Sequence, residues 1–321
     1  MKTVTVCIPA YNEGPRIAAL LERVVQSGAI PVSEILVCVN GCTDNTADIV
    51  GGYARTDKRI GLLESERGKP NAWNRLFEEA ANDILVFFDA DVRPRQNCIE
   101  NLVQALVNGD CIVAGCSTVT KSSARGLEGK IVNLLRTEFF FVNYLNGAGY
   151  SLKRPEFLKK MQEHGYRKMP SILPDDGWVQ MLLEPEDYKL VAGAVIEYDS
   201  GTFADYLRGE TRTRMIAYPE LKACSDKHSP GLYEKWLERL RTERPTTDLG
   251  KKLRRFLVRL KEQEGISRKI EFAFYMVLKT YVRLAYRSKI RAMSREMRLE
   301  LQEADGACVL GGTGRKESKE L

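Results

Sequence analysis

Two histidines, His164 and His228, are all that 321 residues contain. Zinc chemistry therefore has few nitrogen ligands to draw on, and neither Cys38 with Cys42 nor Cys111 with Cys116 has a histidine nearby to complete a tetrahedral set. Long apolar runs are also missing. The closest, Phe272 to Leu278, stops at Lys279, well short of the roughly 20 residues a spanning helix needs. Near the N-terminus the strand-like run Val4–Ile8 is cut by Pro9, which excludes the apolar stretch of a secretory leader. No G-x-G-x-x-G follows that run, so an NAD-dependent oxidoreductase lacks its phosphate loop. Internal repeats are absent. The eight cysteines then read as reduced thiols of a cytoplasmic protein, several of them core fillers.

Hydrophobic residues at 44% suffice for a packed core, and 29% charged residues argue against wholesale disorder. The net charge of +6 is uneven: Lys251 to Glu300 holds 15 basic and 5 acidic residues, leaving the rest slightly acidic. Strand and helix signals alternate through the first half, the pattern of a parallel sheet covered by helices. Val4–Ile8, Ile35–Val39, Ile60–Leu63, Ile84–Phe88 and Cys111–Val119 read as strands. Helices are expected over Pro15–Gln26, from Thr43 or Asp44 toward Tyr53, and over Lys69–Ala81 and Ile99–Val107. Further on, a helix is expected over Leu127–Tyr144, a strand through Leu152, a helix from Asp175 to Leu183 and a strand over Tyr188–Tyr198. From about Phe203 to Glu303 the chain reads as mostly helical, and Ala304–Leu321 as a disordered tail.

Asp89-Ala90-Asp91 closes the buried strand Ile84–Phe88. Two carboxylates one residue apart at a strand's end supply hard oxygen ligands suited to Mg²⁺ or Mn²⁺ on a diphosphate. Alone, the triplet reads more readily as a polar turn after a strand than as a metal site. Pro9–Glu13 and Asn40–Asp44 also follow strands, and ligands of open α/β sheets bind at the strands' carboxyl ends. Polar loops recurring at one edge after three strands make the pattern of a nucleotide site.

From about residue 3 to 215 the chain resembles the family 2 glycosyltransferases of the GT-A fold. Val6-Cys7-Ile8-Pro9-Ala10-Tyr11-Asn12-Glu13 is similar to that family's opening strand and P-x-Y-N-E turn. The resemblance implies that Pro9, Tyr11, Asn12 and Glu13 line the nucleoside, with Glu13 on the ribose hydroxyls and Tyr11 near the base. Asn40-Gly41-Cys42-Thr43-Asp44-Asn45-Thr46 resembles the D-D-G-S-x-D-x-T loop, with Val39 and Asn40 in place of its two aspartates. An Asn amide has both a donor and an acceptor for a pyrimidine edge. Gly68-Lys69-Pro70-Asn71-Ala72-Trp73-Asn74 resembles the G-K-x-x-A-x-N helix start. By that likeness Lys69 faces the diphosphate, although a solvated lysine near an N-cap would read the same.

The resemblance further implies that Asp91 ligates the metal directly, that Asp89 bridges ribose and metal, and that Ala90 lies between them at the donor. Asn146-Gly147-Ala148-Gly149 and Pro174-Asp175-Asp176 match the family's second half. There Gly147 would admit the donor sugar, and Asp176, beside Asp175, would be the general base that takes the acceptor's proton. Asp175 and Asp176 would also serve as a helix N-cap. Arg208, Arg212 and Arg214 stand where the family has Q-x-x-R-W, with Thr211 and Met215 replacing Gln and Trp. Arg212 and Arg214 are read either as contacts to the leaving diphosphate or as surface charges.

The expectation is thus an α/β protein with a GT-A-type, mostly parallel sheet sandwiched by helices and an α-helical C-terminal extension. Its catalytic domain is placed at 1–218, with the nucleotide-sugar part to about 120 and the acceptor part beyond. A basic helical region is placed at 219–303 and the tail at 304–321. The implied activity is inverting, metal-dependent transfer from a UDP- or GDP-linked sugar to a glycan, lipid-linked or small-molecule acceptor. Two alternatives are a nucleotide-sugar binder without transfer activity and a nucleotidyltransferase on a similar sheet. The apolar stripe between Phe256 and Ala285 is expected either to cover the catalytic domain or to touch an anionic membrane surface, at the inner face for a cytoplasmic protein. No motif for reading nucleic acid appears.

Overall fold

The computed structural model describes residues 3–27, 32–136, 145–240, 257, 261 and 265–285. Eight strands form one sheet: β1 (Val4–Ala10), β2 (Val32–Asn40), β3 (Ile60–Ser65), β4 (Ile84–Phe88), β5 (Arg93–Pro94), β6 (Val113–Lys121), β7 (Gly149–Lys153) and β8 (Tyr188–Asp199). Their order across the sheet is β3-β2-β1-β4-β7-β6-β8-β5. The first four strands in that order are parallel. β7 runs antiparallel between β4 and β6, while β6 and β8 pair in parallel. β5 pairs antiparallel with β8 at the far edge.

Central β1 is buried along its whole length, as a strand covered on both faces must be. Its period of two sends Val4, Val6, Ile8 and Ala10 into one core layer and Cys7 into the other. The first layer is closed by α1 (Gly14–Val25) and α4 (Cys98–Val107). In α1, Ile17, Leu20, Leu21 and Val24 fall on one face and are fully buried. α2 (Thr46–Thr56) contributes Val50 to the same layer.

The opposite layer holds α3 (Lys69–Glu79), α6 (Arg154–Glu163) and α7 (Asp175–Met181). Trp73 of α3 stacks on Phe77 and Phe87, and Phe87 stacks on Tyr150 of β7. Trp178 of α7 meets Trp73 and Phe157 edge-on, an arrangement that aromatic quadrupoles favour. This core continues past residue 218, through Leu221 and Cys224 of α9 (Tyr218–His228) and Leu232, Tyr233 and Trp236 of α10 (Leu232–Leu240).

The helix expected over Leu127–Tyr144 is present as α5 (Gly126–Arg136), and residues 137–144 lie outside the described set. After β8, α8 (Phe203–Thr211) opens with a capping box in which Thr202 and Asp205 exchange hydrogen bonds, and it runs into a π-helical turn, Arg212–Ala217. α6 was not read from the sequence; it buries only Phe157 and Met161, too few apolar positions to set a helical period. The strand expected from Cys111 begins at Val113. Of the C-terminal helical stretch, α11 (Ile266–Ala285) is described, and the expected tail at 304–321 lies outside the described residues.

Candidate functional site

The site is built at the carboxyl ends of β1, β2 and β4, where three loops are cross-linked. Asn12 sits in the left-handed region at φ 52°, a conformation Asn tolerates. Its side chain is tied to the next loop: the Thr43 N–H donates to Asn12 Oδ1 at 2.8 Å, and Asn12 Nδ2 donates to Thr43 Oγ1 at 3.2 Å. Asp44 accepts from the Gly14 N–H at 3.0 Å and from both the backbone N–H and the hydroxyl of Thr46. The Thr46 hydroxyl also accepts from the Glu13 N–H at 2.9 Å. These bonds, led by that from the Thr46 hydroxyl, hold the Asp44 carboxyl below its ordinary range.

Asn40 is only 4% exposed, which leaves little of it for a base. Its Nδ2 donates to the Ala10 carbonyl at 2.8 Å, and its Oδ1 accepts from the Gly68 N–H at 3.2 Å. It fastens the ends of β1 and β2 to the start of α3. An aspartate here would set a carboxylate oxygen against the Ala10 carbonyl. The residue that departs from the expected motif thus has a structural reason to be an amide. Tyr11 is exposed, and the Arg67 guanidinium lies 5.1 Å from the centre of its ring. Pro9 is buried within β1, and Ala90 is buried in the core layer beneath.

Gly68 precedes α3 with φ 126°, a backbone open to glycine and little else. The turn it makes places Lys69 between two carboxylates: Nζ is 2.6 Å from Asp89 Oδ1 and 2.9 Å from Asp175 Oδ2. Burial pulls the lysine's pKa down, but Asp175 and Asp89 outweigh it and keep the ammonium charged. Asp89 is pushed up to about 6, first by burial and then by Asp175 and Asp91, against the pull of Lys69. Glu13 is also raised, by burial and by Asp91 and Asp89, while Arg16 at 2.6 Å opposes the shift. Asp91 is therefore close enough to both carboxylates to be felt by them.

The two sides of the site meet at the adjacent residues Gly147 and Ala148. The Asp89 N–H donates to the Ala148 carbonyl at 3.1 Å, and the Gly147 N–H donates to Asp176 Oδ2 at 3.3 Å. Asp176 Oδ1 accepts from the Gly177 N–H at 2.7 Å. A Cβ on Gly147 would stand 2.8 Å from that of Asp176, so only glycine admits the approach. Burial, reinforced by Asp175, raises the Asp176 pKa, and Lys69 and the two N–H groups limit the rise. A carboxylate so placed is oriented and a better proton acceptor than an exposed one.

Residues 5–162 match the family model described as Glycosyl transferase family 2. This stretch, just under half of the chain, is a domain of that family. Among curated proteins, Glycosyltransferase AglD of Haloferax volcanii is 34% identical over 113 residues, 33% of this chain and 18% of that one. Succinoglycan biosynthesis protein ExoA of Rhizobium meliloti is 26% identical over 225 residues, 68% of this chain and 63% of that one. The chain thus spans less than two thirds of the length of either relative. A solved structure, the mannosyltransferase PcManGT from Pyrobaculum calidifontis in complex with GDP-Man and Mn²⁺, superposes with a TM-score of 0.51 at 18% identity. The superposition covers 87% of this chain and 86% of that chain, and it shows a shared GT-A fold.

Lys69 joins Asp89 to Asp175, Gly147 meets Asp176, and Asn12 and Glu13 are tied to Thr43 and Thr46, while Asp91 is felt by Asp89 and Glu13 and Tyr11 meets Arg67. Arg212 is exposed on the π-helical turn, and the side chain of Arg214 lies outside the described set. Four supporting residues escaped the sequence reading. Arg67 was hidden by its place ahead of the Gly68-Lys69 pair. Asn74 exchanges two bonds with the Met169 backbone, at 2.9 and 2.8 Å, and tethers the loop that leads to Asp175. Glu220 of α9 accepts from the Leu173 N–H at 2.9 Å on the same loop. Tyr150 accepts from Trp73 Nε1 at 2.7 Å. Only Asn74 carried a sequence signal, as the last residue of its motif.

The raised pKa of Asp89 has a consequence for stability. Its folded value, about 6, exceeds the roughly 3.9 of an unfolded chain. The folded state then holds the proton more tightly, so the stabilisation is full below about pH 4 and is lost as pH rises through about 6. Two pKa units correspond to about 3 kcal/mol, and because Asp89 keeps 30% of its side-chain surface in solvent, metal-free protein should lose about 1–2 kcal/mol across that window. Urea denaturation in chelator at a series of pH values measures it, and Asp89→Asn should flatten the slope.

Proposed function

We propose that the protein transfers a sugar from a nucleoside-diphosphate donor, UDP- or GDP-linked, to an acceptor hydroxyl with inversion at the anomeric carbon. The observation that carries this reading is the Gly147-Ala148 segment, whose Ala148 carbonyl accepts from the Asp89 backbone N–H on the donor side and whose Gly147 N–H donates to the Asp176 carboxylate on the other. In a single displacement the acceptor oxygen bonds to the anomeric carbon as the bond to the diphosphate oxygen breaks. The acceptor's proton passes to Asp176, and the electron pair of the broken bond leaves with the nucleoside diphosphate. No covalent nucleophile is required. Lys69, charged and held at the diphosphate end by Asp89 and Asp175, counters the charge that grows on the leaving group. Glu13 and Tyr11 are assigned to the ribose and base, Asn12 to the shape of that loop, and Arg212 and Arg214 remain candidates for the departing diphosphate.

The donor set fits a hard divalent cation. Burial raises the carboxyls of Asp89 and Glu13, and the nearby Asp91 adds to both shifts, so three carboxyl groups feel one another here. Among the described residues no group of three or more His, Cys, Asp or Glu side chains is placed to hold a metal ion; two carboxylates leave coordination positions for phosphate oxygens and water. Asp91, with Asp89, would hold Mg²⁺ or Mn²⁺. Such an ion supplies charge stabilisation to the diphosphate. The acceptor is a glycan, lipid-linked or small-molecule hydroxyl, recognised by the part of the domain after residue 120. The described cysteines, all free thiols, favour a reducing compartment, the cytoplasm.

Thermal unfolding of the full chain with a panel of nucleotide sugars, with and without Mn²⁺, tests the reading. A UDP or GDP sugar together with Mn²⁺ should raise the melting temperature more than either alone, and EDTA should remove the gain. At 100 times Kd the stabilisation is about 2.7 kcal/mol. No shift with any UDP or GDP compound would overturn it.

A further inference from the structure

α11 has two apolar faces. One is used: Phe272 and Tyr275 are buried with Leu134 of α5 packed against them, and Val282 is buried with Leu135, Tyr206 and Leu207. On the other, Ile266, Ile270, Phe274, Val277, Tyr281 and Leu284 are 56–79% exposed. Steps of four, four, three, four and three residues align them in one row. At 1.5 Å per residue the 20-residue helix carries that row for about 30 Å. No acidic or basic position falls within the roughly 140° sector around it. Beside the row a groove of about 400 Å³ opens between α5, α8 and α11, lined by Leu127, Glu128, Ile131, Phe203, Leu278 and Tyr281. Leu127, 72% exposed, extends the apolar surface. Such a continuous patch is more than isolated surface residues account for.

The surrounding sequence decides what covers it. Residues 251–300 hold 15 basic and 5 acidic side chains. Two copies meeting through this row would bring two such segments together, and their repulsion opposes pairing. A helix–helix seam would also need bulk at positions 273 and 280, in register with Ile270, Val277 and Leu284, and these are Ala273 and Thr280. Phe274 and Tyr281 instead widen the row with rings, as in helices that lie at the boundary of headgroups and acyl chains. Among the described residues no helix is long and apolar enough to cross a membrane, so contact would be in the plane of the surface.

We propose that the exposed row of α11, with the groove beside it, docks on an anionic lipid surface. The inference rests on the helix and its charge, independently of the catalytic reading. Co-sedimentation of the full chain with vesicles tests it, using phosphatidylcholine alone and phosphatidylcholine mixed with phosphatidylglycerol. Binding should favour the mixed vesicles and weaken at high salt. Phe274→Ser with Val277→Ser should weaken it on the order of 100-fold. Arg268→Glu with Lys269→Glu, which leaves the row intact, should weaken it on the order of tenfold. Both variants should keep the donor-dependent thermal shift of the parent, so a loss of vesicle binding is separable from a fault in the catalytic domain. Failure to bind mixed vesicles, equal binding to both kinds, or indifference to both variants would overturn the proposal. So would light scattering that finds a dimer converted to monomer by Phe274→Ser with Val277→Ser, which would assign the row to a second copy.

Discussion

Asp176→Asn is expected to lower the rate of sugar transfer by about 10²- to 10⁴-fold while the metal-dependent thermal shift with donor survives. The amide keeps the volume of the carboxylate and can still accept the Gly177 N–H bond, so the loop and the donor pocket stay in place. What it lacks is a lone pair basic enough to take the acceptor's proton. Stability should change little, because losing repulsion from Asp175 offsets losing the acceptor for the Gly147 N–H. Steady-state kinetics beside thermal unfolding separates the two effects. Near-normal turnover in the variant would remove Asp176 from the role of base.

Lys69→Met is expected to damage both stability and turnover. Without the ammonium, Asp89 and Asp175 face each other with no cation between them. Breaking a buried ion pair by deleting one partner costs about 3–5 kcal/mol. Here Lys69 and Asp89 keep 32% and 30% of their side-chain surface in solvent, so about 2–3 kcal/mol is the better expectation. The loss should shrink at pH 5, where Asp89, titrating near 6 in the parent, takes up a proton and the repulsion ends. Urea denaturation in chelator at pH 5 and pH 7.5 measures the difference. Turnover at pH 7.5 should fall about 100-fold, since a fixed charge facing the leaving group is lost. A variant as stable as the parent at both pH values would show that the lysine does not hold the two carboxylates.

The parallel half of the sheet was legible because its strands are short apolar runs bounded by polar turns, and β1, β2 and β4 appeared within a few residues of their expected limits. The short loops at their ends carried the donor motifs for the same reason. Direction was not legible in β7, whose sequence Gly149-Tyr150-Ser151-Leu152-Lys153 reads as a strand of either sense. Its reversal between β4 and β6 is set by long-range pairing, and that reversal brings Asn146–Gly149 to Asp89. Partners distant in sequence were equally hidden. Asn40 read as a group for a base edge, but its bonds to Ala10 and Gly68 depend on where two other loops end. The amphipathic stripe of α11 gave its apolar residues as one set, and periodicity alone could not separate the face packed on α5 from the face left open.

α3 behaves as a strut with fittings at both ends of two turns. Its first residue grips Asp89, Trp73 is bolted to Tyr150, and Asn74 clasps Met169 on the loop that delivers Asp175 and Asp176. The separation of Asp89 from Asp175 and Asp176 is then gauged by a rigid rod and not by the loops flanking it. A change at Asn74 should therefore shift that spacing without touching any of the three aspartates.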